Sequence, residues 1–328
     1  MTQPLDALES QSIDPETFHL KARESYEFDI DFASDDDSDD PLEDFPTVIL
    51  PNRVMGLESF GITDVGNSRH HNEDFFTIDN RFTQLMDAET TQVYSRGVYI
   101  LCDGMGGHAQ GEVASRMAAE TLSLFFAEHW KEEMPSEAAV KDAIYWANQT
   151  LHTLNESQTR FGAGRMGTTL VLAMLQDTQF RFAHVGDSRL YRLTHRNGLE
   201  QLTVDHEVGQ REIQRGVAPE IAYARPDAYQ LTQALGPRPD HALRPDVRSL
   251  TLAEDCVFLL CSDGITDNQL LERFQEQYLM PLLDFKNPLE EGLRQLIELA
   301  NTENGHDNAT AIGIRAKVSP QPVPRPFV

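Results

Sequence analysis

Between about residue 48 and residue 317, short apolar runs rich in β-branched residues alternate with longer stretches of helical period, and no internal repeat is visible. The runs Gly97–Cys102, Thr168–Leu175, Phe180–Val185, Arg189–Leu193, Cys256–Ser262 and Ala309–Arg315 read as strands. Three of them, from Thr168 to Leu193, follow one another across connections too short for a parallel crossover, which predicts antiparallel pairing. Helical patterns cover Gly111 to Trp130 and Ser136 to Gln158. In the second, Val140, Ile144, Ala147, Leu151 and Leu154 recur on one face, and Ser136 after Pro135 is placed to cap the N-terminus. Two further helices are expected over Asn268–Tyr278 and Pro288–Asn301. Antiparallel strands with helices outside them predict an α+β layered sandwich.

Charge changes the picture at the ends of the chain. The net charge is −26, and residues 1 to 50 hold fifteen Asp and Glu against Lys21 and Arg23, half of that excess. A segment so acidic, with the run Asp35-Asp36-Asp37-Ser38-Asp39-Asp40 at its centre, cannot bury enough apolar surface to offset its ordering entropy. Residues 1–47 are therefore expected to be a disordered acidic tail. Residues 318–328, with Pro320, Pro322, Pro324 and Pro326, are expected to fray as a Pro-rich tail; their spacing misses the PxxP pattern. A concentrated basic face is absent, which argues against nucleic acid as a partner. No stretch reaches about 18 consecutive apolar residues, and the N-terminus lacks a signal-peptide pattern, so a soluble cytoplasmic protein without membrane partners is expected. Cys102, Cys256 and Cys261 lie inside apolar runs, as small buried hydrophobes do, in keeping with a reducing compartment.

Candidate chemistry gathers where apolar strands run into aspartate. Gly97–Cys102 leads to Asp103-Gly104, Phe180–Val185 through Gly186 to Asp187, Cys256–Ser262 to Asp263-Gly264, and Asp307-Asn308 precedes the last strand. One such Asp is most simply a turn residue. Four on one rim would repel one another unless cations neutralised them. Oxygen-only ligation points to the hard ions Mg²⁺ or Mn²⁺ rather than zinc, and two such ions side by side are a device for activating water against phosphoryl groups.

The ordered blocks Asp64-Val-Gly-Asn-Ser-Arg69-His-His-Asn72-Glu73-Asp74, Asp103-Gly-Met-Gly-Gly107, Gly167-Thr-Thr169, Gly186-Asp-Ser-Arg189, Ser262-Asp-Gly264 and Gly305-His-Asp-Asn308 resemble the motifs of the metal-dependent, type 2C serine/threonine protein phosphatases, particularly their bacterial branch. The resemblance spans about Leu57 to Arg315. It implies a four-layer αββα sandwich, two central antiparallel sheets flanked by helices, with metals at one end. By motif position, Asp103 would bridge two ions, Gly104 would offer its carbonyl, and Asp263 and Asp307 would complete one shell. Glu73, with Asp74 nearby, would hold the second ion, and Asp187 and Asp267 match positions for a third, weaker one. Arg69 matches the phosphate-binding arginine. The implied reaction is attack on phosphoserine or phosphothreonine by a metal-bridging hydroxide, without a covalent phosphoenzyme, on phosphoproteins modified by an opposing serine/threonine kinase. Animal members often carry histidine where this chain has Met105, so a metal-bound water would have to protonate the leaving group. Residues 207–233, with Arg211, Arg215 and Arg225, resemble the family's flap beside the active site.

Rival readings lack their parts. Gly162-Ala-Gly164-Arg-Met-Gly167 satisfies GxGxxG but follows a helix and precedes a strand, the reverse of the dinucleotide-binding context. No GxxxxGK[ST] loop is present. His70 and His71 read as solvated neighbours of Arg69. Two alternatives stay open on sequence: a pseudophosphatase or binding module on the same fold, whose signature would be lost carboxylates, and a phosphatase of small phosphomonoesters.

Overall fold

A computed structural model describes residues 51–86, 91–106, 110–158 and 164–320. The expected acidic tail over 1–47 lies outside the described residues, as do residues 321–328 of the expected Pro-rich tail. In chain order the strands are β1 (Asn52–Asp64), β2 (Asp74–Met86), β3 (Thr91–Met105), β4 (Gly167–Thr168), β5 (Leu170–Gln176), β6 (Gln179–Val185), β7 (Arg189–Thr194), β8 (Gly198–Gln201), β9 (Asp246–Thr251), β10 (Cys256–Cys261) and β11 (Ala309–Pro320). The helices are α1 (Gln110–His129), α2 (Glu137–Ser157), α3 (Val208–Gln214), α4 (Pro219–Ala222), α5 (Asp263–Thr266), α6 (Leu270–Arg273) and α7 (Leu289–Glu303).

Two antiparallel sheets form. One has the order β1-β11-β10-β7-β8; the other runs β2-β3-β5-β6-β9, with β4 appended to β3. Both faces of the central strands are apolar, because each faces the other sheet on one side and helices on the other. In β3, Tyr99 and Leu101 point between the sheets while Val98, Ile100 and Cys102 pack toward α1 and α2. In β10, Phe258 and Leu260 face the opposite sheet and Val257, Leu259 and Cys261 face α7 and its neighbours. Phe180 of β6 and Phe258 of β10 stack across the gap, ring centroids 3.8 Å apart. Fully burying each such side chain contributes about 1.5–3 kcal/mol. The result is the αββα arrangement, with all three cysteines buried.

The capping signal at Ser136 acts as its sequence position suggests, its hydroxyl accepting the Ala139 N–H at 3.2 Å. Three expectations need correction. Strands β6 and β7 do not pair: they belong to opposite sheets, and Gly186-Asp187-Ser188 is where the chain crosses the sandwich. Loop length alone could not distinguish a hairpin from a sheet switch. The helix expected over Asn268–Tyr278 is broken, since Asn268 and Gln269 adopt left-handed conformations (φ 58° and 55°) and only the single turn α6 follows before a wide turn over Gln275–Leu279. The Asn304 side-chain amide helps hold that kink by donating to the carbonyls of Gly264 and Asp267. Finally, Val318 to Pro320, expected to begin a tail, complete β11 by pairing with Asn52 to Val54 of β1.

Candidate functional site: an acidic rim between the sheets

The β2–β3 register sets Asp74 directly opposite Asp103, so two carboxylates share one end of the sheet. Asp103 lies inside β3, past the Cys102 end expected from hydrophobicity. Its backbone is fixed on both sides: its N–H donates to Thr169 Oγ1 at 3.0 Å, and its carbonyl accepts from the Thr169 N–H and the Thr168 hydroxyl, each at 2.8 Å. Gly104 beside it donates its N–H to the Glu73 carbonyl at 3.0 Å, and any Cβ there would collide with the Gly111 carbonyl, so only glycine permits this close approach.

From the other sheet, the end of β10 delivers Ser262 and Asp263. The Ser262 hydroxyl donates to Asp74 Oδ2 at 2.8 Å and accepts the Thr310 N–H at 3.0 Å, tying the two sheets together at the rim. The second oxygen of Asp74 and one oxygen of Asp263 are buried without any partner. Asn308 orders the opposite wall. Its Oδ1 accepts the Glu73 N–H at 2.9 Å, while its Nδ2 donates to the carbonyls of Val65 and His71. The Glu73 carboxyl packs against Gly111 at the start of α1.

The remaining acids lie outside the strands, and two of them, Asp307 and Asp267, have side-chain partners. Asp307 Oδ2 accepts from Arg69 Nη2 at 2.5 Å, and its Oδ1 accepts the Asn308 N–H. Asp267 Oδ2 meets His306 Nε2 at 3.0 Å; the other ring nitrogen of His306 faces the Asn304 carbonyl. Both nitrogens therefore meet acceptors, the protonated imidazole is favoured, and the pKa of His306 rises. Asp187 sits on the crossing between β6 and β7, next to Ser188, whose hydroxyl is 2.7 Å from that of Thr169.

The electrostatics follow from burial and like charge. Burial, then the neighbouring Asp74, Asp263, Asp187 and Asp307, raise the Asp103 carboxyl well above the ordinary carboxylate range. Asp263 is raised in the same way, by burial and by Asp187 and Asp307. Burial pushes Asp74 up to about 6 against the pull of its hydrogen bonds, and Asp187 to about 6 with help from Asp205. Partial burial works against the charge on Arg69, but Asp307, Glu73 and Asp263 outweigh it.

All the residues expected at the site except Asp267 thus sit on this rim or touch it, and Asp267 reaches it through its field on Asp187 and Asp263. Among the described residues, no three His, Cys, Asp or Glu side chains stand converged in finished ligand geometry. The residues nevertheless suit a hard cation. The donors are all oxygens, two of them buried and unpartnered; among the described residues Arg69 covers Asp307 and Arg189 partly offsets Asp187, while Asp74 and Asp263 load further like charge on Asp103. Residues that sequence reasoning assigned no role are the supports: Ser262, Asn308, and the Thr168-Thr169 pair. Each stands beside a quoted acid or in a quoted block, which was the available signal.

The comparisons with known proteins agree with this geometry. Residues 83–300 match the family model for protein phosphatase 2C. The serine/threonine phosphatase stp of Listeria monocytogenes serotype 4b is 34% identical over 257 residues, covering 76% of this chain and 92% of the relative. The serine/threonine phosphatase PstP/Ppp of Mycobacterium tuberculosis superposes with a TM-score of 0.61 at 27% identity, over 80% of this chain and 99% of the other. A catalytic domain of the serine/threonine protein phosphatase PstP in complex with two manganese ions superposes with a TM-score of 0.60 at 26% identity, over 81% and 100%. Fold and likeness together define an enzyme of the serine/threonine phosphatase class. The chain belongs to the protein phosphatase 2C family, and its relatives are bacterial.

Proposed function

We propose that this chain is a Mn²⁺- or Mg²⁺-dependent protein phosphatase that hydrolyses phosphoserine and phosphothreonine by direct attack of water, without a covalent phosphoenzyme. Unpartnered buried oxygens of Asp74 and Asp263 flanking Asp103, in a chain of this family, carry the reading. Asp103, Gly104 through its carbonyl, Glu73, Asp74, Asp263 and Asp307 would hold two ions, and Asp187 with Asp267 a weaker third. Such ions, when bound, lower the pKa of water and draw charge from the phosphoryl oxygens.

The chain's own residues do the rest. Arg69, now paired with Asp307, presents a planar guanidinium that can exchange that carboxylate for two phosphoryl oxygens and orient the phosphorus for in-line attack. Asp74 and Asp103 sit on paired strands that cannot move independently, so these two acids need no reorganisation as charge develops. Met105 has no proton to give, so protonation of the leaving oxygen must come from water. Residues 48–317 would form the catalytic domain, with 207–233 as the flap, acting in the cytoplasm on phosphoproteins and opposing a serine/threonine kinase. Among the described residues no helix is long and apolar enough to cross a membrane. None of the expected carboxylates is missing, which favours an enzyme over a pseudophosphatase.

The test is turnover of a phosphothreonine peptide, a sugar phosphate and p-nitrophenyl phosphate with Mn²⁺ or with a chelator. The expected result is Mn²⁺-dependent release of phosphate, with kcat/KM for the peptide at least about tenfold above that for the sugar phosphate. Equal turnover of the two would move the assignment to a small-molecule phosphatase, and none with any cation to a binding module.

A further inference from the structure

Gly186, on the sheet crossing just before Asp187, is held at both of its backbone groups by one residue. Its carbonyl accepts the His206 N–H at 2.9 Å, and its own N–H donates to His206 Nδ1 at 3.1 Å. The grip is tight because Gly186 adopts φ +112°, where a Cβ would also press on Thr169 at 2.7 Å. Residue 206 is also where both ends of the segment over α3 and α4 meet. Its carbonyl accepts the Thr232 N–H at 2.7 Å and the Thr232 hydroxyl at 2.9 Å. The next residues continue the seam, with Glu207 bridged to Leu231 and the Val208 N–H on the Gln230 carbonyl.

The ring itself is braced. His184 of β6 stacks on it with centroids 4.6 Å apart and 22° between planes, and His184 Nε2 is anchored 2.8 Å from the Val204 carbonyl. An imidazole nitrogen that accepts from a backbone N–H carries no proton. Burial, with His184 alongside, keeps it so by pushing the His206 pKa down to about 4.

We propose that His206 is a positioning residue: it fixes the crossing that carries Asp187 and couples that carboxylate to both ends of the 207–233 segment. The coupling rests on the reading of Asp187 as a cation ligand. In this arrangement a displacement of the segment's base moves the two hydrogen bonds on Gly186, and through them the carboxylate one residue on. A cation held by Asp187 and a substrate pressing on the segment would then each favour the same position of His206.

Two variants separate the acceptor from the ring. His206→Phe keeps an aromatic ring to stack on His184 but has no acceptor, whereas His206→Asn gives up the ring but offers a side-chain carbonyl to the Gly186 N–H. Hydrogen exchange at the Gly186 amide in the metal-free protein reads the clamp without any catalytic assay, and the Mn²⁺ concentration for half-maximal phosphopeptide turnover reads its consequence. The expected result is Gly186 exchange at least about tenfold faster in His206→Phe, with half-saturation raised about three- to tenfold, and both largely restored in His206→Asn. Unchanged Gly186 exchange in His206→Phe, or equal acceleration in both variants, would overturn the proposal. Asp187→Asn distinguishes the two readings. If it leaves the Mn²⁺ dependence unaltered, the ligand reading of Asp187 fails and the coupling with it, while Gly186 exchange still decides whether His206 is the clamp.

Discussion

The acids of the rim fall into two rows that differ in how their charge is met. Asp74, Asp103 and Asp263 stand on strand ends or against them; Asp74 is buried, Asp103 and Asp263 are half-buried, and Asp74 and Asp263 each keep one oxygen with no hydrogen-bond partner among the described residues. Asp267, on the short helical turn after α5, and Asp307, on a loop, are each paired with a basic side chain, His306 and Arg69. The inner row is fixed by sheet register and cannot swing away to relieve repulsion. The outer row can choose partners, and has done so. Strand register therefore concentrates unmet charge at the place where a hard cation would bind, while the outer row holds paired groups that an arriving substrate or ion would have to displace.

The sharpest way to break this contrast is to remove one charge from each row. Asp263→Asn and Asp307→Asn should each lower phosphopeptide kcat/KM by about 10³ or more, since each deletes an anionic ligand from the proposed shell. Their metal-free stabilities should diverge. Asp263→Asn relieves like-charge repulsion and should raise the melting temperature by roughly 2–4 °C for each kcal/mol gained. Asp307→Asn strips Arg69 of its partner and should leave it unchanged or lower. Equal melting shifts would mean that the two rows are electrostatically alike, and substantial activity in either folded variant would sink the ligand assignment.

A pH titration sharpens the same comparison with a smaller effect. Asp74 and Asp187 are raised to about 6, above the roughly 3.9 of an unfolded chain. A carboxyl raised on folding contributes stability that is fully present below the unfolded pKa and is lost as pH rises through the folded one. His206, held down to about 4, opposes this trend over the same interval, and Glu207, raised to about 7, adds to it. The metal-free protein should thus melt about 5 °C lower at pH 7.5 than at pH 5, by calorimetry, and saturating Mn²⁺ should abolish most of the difference. A metal-free melting point that climbs steadily over that interval would show that the inner row is not under strain.

How much of this was legible in the sequence depends on which level of structure each residue answers to. Val257 to Cys261 and the stripe from Val140 to Leu151 announced their elements because hydrophobic period alone decides a buried strand or helix. β1 and β2 did not, being edge strands whose residues are mostly only half-buried, with charged and glycine residues interleaved. The acids could be named from the sequence because each follows an apolar run. Their two-row division could not, since it arises from the Asp74–Asp103 register and from contacts such as Arg69 with Asp307, 238 residues apart. His206 lay hidden for the same reason, as its partner Gly186 is across a change of sheet that loop length could not reveal.

The smallest expected effect lies outside both rows, on α3. Arg211 and Arg215 share a single carboxylate, Glu212, at 3.8 and 2.9 Å, so this exposed turn keeps an excess positive charge in a chain that is otherwise strongly acidic. Solvent-exposed pairs of this kind are worth about 0–1 kcal/mol, so neither fold nor chemistry should depend on them. A phosphopeptide, which carries acidic groups beyond the reacting phosphate, should feel the field of α3, whereas p-nitrophenyl phosphate offers nothing for it to hold. Replacing both arginines with glutamine should therefore reduce phosphopeptide kcat/KM about two- to fivefold at low salt and leave p-nitrophenyl phosphate turnover unchanged. The loss should shrink toward nothing near 0.5 M salt, where the screening length falls to a few ångströms. An equal loss on both substrates would instead place these arginines in support of the rim itself, and would join α3 to the rigid inner row as part of the machinery that holds the reacting phosphate.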